Sequence, residues 1–207
     1  ESTNKYVPLA DNEIVEIDSD NYQIYNFTGK KISRKTSSTK KQTKIVSKGE
    51  YKHFMQKEIY EQQEIISNAI KHQIGKKGLL PNIFGPNSDK ILLKTKHIHF
   101  VACGTSYNAA LIAKYWIEEI TDIVCTAEIA SEYRYRTVNV PSGTLFVAIS
   151  QSGETADTIY SLKKAKNRDY CSILSICNVP ESSITRLSDL VYLTHAGPEI
   201  SVASTKA

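Results

Sequence analysis

Three short segments of the chain gather small hydroxyls beside glycine. They read C-G-T-S at residues 103–106, S-Q-S-G-E-T at 150–155 and G-P-E-I-S-V-A-S-T-K-A at 197–207. Each follows a short apolar run and precedes an expected helix start, and the first two hold no lysine or arginine. A helix start offers unpaired backbone N–H groups and the positive end of the helix dipole. An anion can be held there by amides and hydroxyls without a cationic side chain. Glycine lets the backbone approach closely, serine and threonine donate to phosphate oxygens, and further hydroxyls accept from a sugar. The chemistry fits a small polyol phosphate better than a nucleotide, because G-x-G-x-x-G and G-x-x-x-x-G-K-[ST] are both absent. The same residues also suit helix capping, a role that binding does not exclude.

Other candidates carry weaker chemistry. Glu154 has the chemistry of a base, but a glutamate in a first helical turn ordinarily complements the dipole. His97 and His99 alternate along a strand and are expected to be packed or edge-exposed. His195 and Lys206 lie near the last hydroxyl segment, within reach of a ligand there. The amphipathic E-Y-R-Y-R at 132–136 suits a contact with a partner subunit. Of the cysteines, Cys125, Cys171 and Cys177 fall in apolar strand-like runs, where a reduced thiol packs as a small hydrophobe. Cys103 sits at an expected helix entrance, where a thiolate is stabilised. No C-x-x-C pair or His/Cys spacing suggests zinc.

The elements that must position these segments follow from the hydrophobic pattern. Strand runs are expected at 97–102, 123–130, 143–150, 171–177 and 190–196, with helices at 106–120, 155–167 and 182–188 and a helical turn near 131–135. Alternating strand and helix predicts a parallel sheet covered on both faces. Right-handed crossovers make it a doubly wound layer, with ligands beyond the carboxyl ends of the strands. Upstream, Phe54, Ile59, Ile65, Ile66, Ala69 and Ile70 fit one face of a helix that Gly75 and Gly78 end. Alternation on either side of D-S-D-N predicts a β-hairpin over 13–28. A lone hairpin is marginal in water, so it reads as the edge of another domain.

Composition sets the outer bounds. The 207 residues are 41% hydrophobic and 23% charged, an ordinary globular balance. No apolar run approaches the roughly 20 residues of a bilayer span. The net charge of +4 is unevenly placed. Residues 30–52 hold nine lysines and arginines against the single acid Glu50, and read as a solvated linker. Interleaved aromatics that would favour nucleic acid are lacking there. The first residue is Glu1 and the only methionine is Met55, so the chain is expected to be a fragment.

Several long motifs, in order, carry a family resemblance. A-C-G-T-S-Y-N-A-A-L-I-A-K-Y-W-I-E-E-I, E-I-A-S-E-Y-R-Y-R, I-S-Q-S-G-E-T-A-D-T, I-C-N-V-P-E-S-S-I-T-R-L-S-D-L and A-G-P-E-I-S-V-A-S-T-K-A resemble the isomerase part of the glucosamine-6-phosphate synthases, the isomerising glutamine–fructose-6-phosphate aminotransferases. F-M-Q-K-E-I-Y-E-Q at 54–62 resembles the helix opening that part, and L-A-D-N-E-I-V-E-I at 9–17 the last strands of the glutaminase domain. The resemblance implies an α/β fold of the SIS (sugar isomerase) type, an αβα sandwich with a five-stranded parallel sheet, preceded by a β-hairpin remnant of the glutaminase domain. The expected organisation is remnant at 1–29, basic interdomain linker at 30–52 and first SIS domain at 53–207, truncated at its end.

The resemblance also implies the reaction. Ammonia from glutamine passes to fructose 6-phosphate, giving glucosamine 6-phosphate and glutamate, with no metal or organic cofactor. Carried over by motif, Thr105, Ser106, Ser150, Gln151, Ser152 and Thr155 hold the sugar phosphate, and Val202 and Ser204 line the other side. Ser201 replaces the glycine more usual in this motif. The implied partners are fructose 6-phosphate or glucosamine 6-phosphate and a second copy of the chain in a homodimer or larger oligomer, in the cytoplasm, with no nucleic acid and no membrane. The family's glutaminase cysteine, isomerisation base and Schiff-base lysine fall outside the chain, so no catalytic residue is expected within it. Two other readings are a non-enzymatic SIS module that senses a sugar phosphate for a regulator, and a stand-alone sugar-phosphate isomerase or deglycase. The hairpin and basic linker, in place of a helix-turn-helix, speak against the first, and the hairpin relic against the second.

Overall fold

In the computed structural model, residues 5–38, 47–71, 73–76 and 78–207 are described. They form two compact units that divide between Ser47 and Lys48. In the first, β2 (Glu13–Ile17) and β3 (Tyr22–Asn26) pair antiparallel as the expected hairpin, and β4 (Lys31–Ile32) adds to β3. The Asp18 carboxylate closes the D-S-D-N turn by accepting from the N–H groups of Asp20 and Asn21 at 2.9 and 2.7 Å. Those two bonds hold its pKa below the ordinary aspartate value. A second antiparallel pair joins β1 (Lys5–Tyr6) to β5 (Ser37–Ser38). Arg34 bonds Glu13 at 2.5 Å. Residues 31–32 and 37–38, expected within a solvated linker, are thus strand; 39–46 of that linker lie outside the described residues.

The second unit opens with α1 (Phe54–Lys71), followed by a minimal antiparallel pair, β6 (Ile74–Gly75) and β7 (Gly78–Leu79), and a short α2 (Ser88–Leu92). Strand and helix then alternate: β8 (His97–Ala102), α3 (Gly104–Ile120), β9 (Val124–Ile129), α4 (Ala130–Tyr135), β10 (Thr144–Ser150), α5 (Ala156–Ala165), β11 (Ser172–Cys177), α6 (Ser183–Leu187) and β12 (Leu190–Leu193). The five long strands form one sheet in the order β12-β11-β10-β8-β9, every pairing parallel. This is the five-stranded parallel sheet expected, within a residue or two at most ends.

Both faces of the sheet are covered, which explains the near-continuous apolar character of its central strands. On one face Val101, Phe146, Ala148 and Ile173 pack against Tyr133 of α4, Leu162 and Ala165 of α5 and Ile184 of α6. On the other, Ile98, Phe100, Leu145, Val147 and Leu174 pack against Ala110 and Ile117 of α3 and Ile91 of α2. Cys125 and Cys177 are buried as small hydrophobes, and burial raises the Cys125 thiol to about 11. Cys171 departs from expectation and is exposed. Of the apolar stripe of α1, Ile59, Ile66 and Ile70 are exposed and Phe54, Ile65 and Ala69 half-buried, and the helix's one buried residue is Glu58.

His99 is packed, as its place on a central strand suggests. Its Nδ1 lies 2.9 Å from the Tyr170 hydroxyl and its Nε2 3.1 Å from the Glu128 carboxylate. Tyr133 O–H donates to the Tyr170 oxygen at 3.2 Å. One order of protons satisfies the row with a neutral ring: Tyr133 to Tyr170, Tyr170 to Nδ1, and Nε2–H to Glu128. Burial pulls the imidazole pKa below its ordinary 6.5, more strongly than Glu128 raises it. Burial also pushes up the Glu128 carboxyl, but the Arg136 guanidinium, bonded at 2.8 Å, outweighs that and holds it below the ordinary value.

The sign of the His99 contribution follows. The unfolded imidazole takes up a proton at a higher pH than the folded one, so the neutral ring contributes fully above about pH 6.5. Its contribution is lost as pH falls from there through the depressed folded value. Urea unfolding at a series of pH values is expected to show the wild-type advantage over His99→Gln shrinking between pH 7 and the mildly acid range. A gap that stays constant would contradict the neutral assignment.

Candidate functional site

The direction of sheet building reverses between β8 and β10, and a cleft of about 340 Å³ opens at their carboxyl ends. In a parallel sheet that crevice is where ligands bind. Three loops line it. The β8–α3 loop contributes Cys103, Gly104, Thr105 and Ser106; β10 and the β10–α5 loop contribute Ile149, Ser150, Gln151, Ser152 and Thr155; the segment after β12 contributes Glu199, Ser201, Val202, Ala203 and Ser204. All eight residues expected to hold a sugar phosphate therefore line one cleft. Among the described residues, no lysine or arginine lines it.

The β10–α5 loop is held by its own hydroxyls. Ser150, nearly buried at the end of β10, accepts from Gly153 N–H at 3.0 Å and lies 3.3 Å from the Thr155 hydroxyl. Ser152 accepts from Glu154 N–H at 3.2 Å. Gly153 adopts φ of +68°, and a Cβ on it would lie 2.0 Å from the Ser182 hydroxyl and 2.9 Å from the Cys177 sulfur. Only glycine fits so close an approach. Thr155 is the N-cap of α5 and Cys103 the N-cap of α3, and neither makes a side-chain cap bond. The capping role is thus not what these two residues supply, and both helix starts face the cleft.

Glu154 is not a free base. Its carboxylate accepts from Ser183 N–H and the Ser183 hydroxyl, each at 2.7 Å, and so caps α6 rather than complementing α5. His195 is exposed, with φ of 54°, and does not line the cleft. Lys206 turns away to pair with Glu61 at 2.5 Å, so it does not neutralise an anion in the cleft.

The third loop must travel from the edge strand β12 across β11 to reach the cleft. Asn178, just after β11, guides it: its Oδ1 accepts from Ala196 N–H at 2.8 Å, and its Nδ2 donates to Gly197 carbonyl at 2.7 Å. The expected helix start is absent among residues 199–207. Glu199 organises the turn instead. Its carboxylate accepts from Thr205 N–H at 2.7 Å, Lys206 N–H at 3.0 Å and the Ser204 hydroxyl at 2.9 Å. Sequence reasoning passed over Glu199, although an acid inside a hydroxyl-rich segment was a visible signal. Val202, at the tip, is fully exposed.

A larger cleft of about 520 Å³ lies at the opposite ends of the strands, bordered by His97, Val124 and Thr144, the first residues of β8, β9 and β10. Its charged groups, Glu128 and Arg136, are already paired. The smaller cleft is the better functional candidate because two uncapped helix starts and eight hydroxyl or amide side chains converge there.

A parallel layer covered by helices on both faces, with a hydroxyl-lined cleft at its switch point, defines a doubly wound α/β ligand-binding domain. Residues 91–207 match the SIS domain family, and the chain belongs to it. Over 99% of its length it is 47% identical to the glutamine–fructose-6-phosphate aminotransferase [isomerizing] of Francisella tularensis and 44% identical to that of Pseudomonas aeruginosa. It spans 34% of the length of each. Among solved structures, the C-terminal domain of glucosamine-fructose-6-phosphate aminotransferase from Francisella tularensis superposes with a TM-score of 0.74 at 54% identity, over 77% of this chain and 45% of that one.

Gly153→Ala tests the packing of the central loop. The left-handed backbone and the forced shift of Ser182 are together expected to cost about 2–4 kcal/mol. Thermal or urea unfolding reads this directly. A change below about 0.5 kcal/mol, the size usual for an inert surface substitution, would mean the loop relaxes freely.

Proposed function

We propose that this chain is the sugar-phosphate-binding part of an isomerising glutamine–fructose-6-phosphate aminotransferase. The whole protein transfers glutamine-derived ammonia to fructose 6-phosphate, yielding glucosamine 6-phosphate and glutamate. It acts as a homodimer or larger homo-oligomer in the cytoplasm. Thr105, Ser106, Ser150, Gln151, Ser152, Thr155, Val202 and Ser204 contact the sugar phosphate, and none is a catalyst.

The observation that carries this reading is the cleft's convergence of two helix starts and a ring of hydroxyls, with no cationic side chain. Each helix start supplies roughly half a positive charge, so α3 and α5 together offset about half of a phosphate dianion. Hydrogen bonds from amides and from Ser150, Ser152 and Thr155 take the remainder, and bonds to a charged acceptor are the strong ones. Glu199 supplies orientation. Its carboxylate stands on the third loop and repels the phosphate toward residues 150–155, leaving the polyol chain toward residues 199–204.

Ser152→Ala and Thr155→Ala are each expected to weaken fructose 6-phosphate binding by about 1–3 kcal/mol, the worth of a bond to a charged group. Neither hydroxyl caps the helix behind it, so the cost to stability is expected to stay at about 0.5–1.5 kcal/mol, the worth of the one loop bond each makes. Calorimetric titration with unchanged affinity in both variants would contradict the assignment.

A further inference from the structure

We propose that Glu58 is a positioning residue of the sugar site, acting through the third loop. The inference rests on the reading above, in which that loop meets the polyol end of the ligand. Glu58 is 2% exposed, on a helix where Met55, Ile59, Ile66 and Ile70 are exposed and no other residue is buried. A carboxylate buried to that degree is costly unless fully bonded. Its bonds go to the third loop, more than 140 residues along the chain. Oε1 accepts from Ile200 N–H at 2.7 Å and from Ser201 N–H at 3.3 Å, and Oε2 from the Thr205 hydroxyl at 3.5 Å.

Two neighbours on the same helical face extend the contact. Positions 58, 61 and 62 stand one turn apart. Glu61 pairs with Lys206 at 2.5 Å, and the Gln62 amide donates to the Thr205 carbonyl. The polar face of α1 therefore fixes residues 200–206 at both ends, while Ser201 and Ser204 between them line the cleft. Glu58 itself does not touch the cleft. Removing its carboxylate leaves the Ile200 and Ser201 amides without their acceptor and frees the loop to move. The phosphate end, at residues 150–155, has its own bonds and does not depend on α1.

That asymmetry gives a readout that a merely structural role would not move. Wild type, Glu58→Ala, Glu58→Gln and Glu61→Gln of the full-length protein are titrated by NMR with fructose 6-phosphate and, separately, with inorganic phosphate. Glu58→Ala is expected to lose about tenfold or more in affinity for the sugar phosphate, with less than about a twofold change for phosphate. Glu58→Gln, which keeps one acceptor oxygen, is expected to recover part of the loss. Glu61→Gln, at the half-exposed rim, is expected to show the same pattern more weakly, and it decides the matter if Glu58→Ala fails to fold. Unchanged sugar-phosphate affinity in the Glu58 variants, or equal losses for both ligands, would overturn the proposal and leave the sugar site standing. A wild-type protein that binds phosphate but not fructose 6-phosphate would overturn the sugar-phosphate reading, and this inference with it.

Discussion

Between β8 and β10 the chain reverses the direction in which it lays down strands, and that reversal is the constraint on which the site depends. Crossovers on either side lead to opposite faces of the sheet, α3 to one and α5 to the other. Neither crossover covers the gap, so the first turns of both helices stand open at its rim. Dipoles that point into one crevice from two faces add there, whereas helices on neighbouring, non-reversing strands would aim side by side. Glycine at 153 and hydroxyls at 150, 152 and 155 complete the result: they let the backbone close tightly and leave donors on the open side.

Among the described residues, several cations of the layer are engaged away from the cleft. Lys206, the one basic residue on the third loop, is held by Glu61 with its side chain almost wholly buried. Arg136 is taken by Glu128, and Arg134 by Asp157 and the face of Tyr160. None of these pairs lines the cleft. A site built from neutral donors is weaker per contact than one built on lysine, but it holds its shape without ligand. Its charge is spread over backbone groups that need no counterion, and the hydroxyls already bond one another.

How much of this was legible in the sequence depended on the range of the interaction. The five strands were readable because parallel strands buried on both faces are near-continuous apolar runs, and His97–Ala102 and Thr144–Ser150 are such runs. The hydroxyl segments were readable because strand ends and helix starts bound them locally. The short strands Lys31–Ile32 and Ser37–Ser38 were not, since a lysine- and serine-rich stretch has no apolar period and joins a sheet through its backbone alone. The role of Glu154 was misread for a related reason: local spacing placed it before α5, whereas its partner is the start of α6, 29 residues on. Glu58 carries no local signal at all. The apolar residues of α1 share one face by spacing, but spacing alone does not say that the polar residue buried would be Glu58, whose partners lie more than 140 residues on.

Ser201 brings these threads together. The family's motif has glycine there, which suggests a backbone that only glycine adopts. Ser201 is not among the described residues with positive φ, so the loop makes no such demand at this position. Its hydroxyl is nonetheless buried without a partner among the described residues. An unmade hydrogen bond of that kind costs about 1–3 kcal/mol, which the segment's own sequence does nothing to offset. Its amide is the group that is satisfied, by Glu58. The conformation of residues 199–206 is therefore set from two sides: from within by the Glu199 carboxylate, and from outside by Asn178 at its entry and by the carboxylates of Glu58 and Glu61 along its length. A loop shaped that way keeps its place in the cleft wall through a change at Ser201, whose side chain makes none of these bonds, provided that Glu199 and the outside anchors are intact.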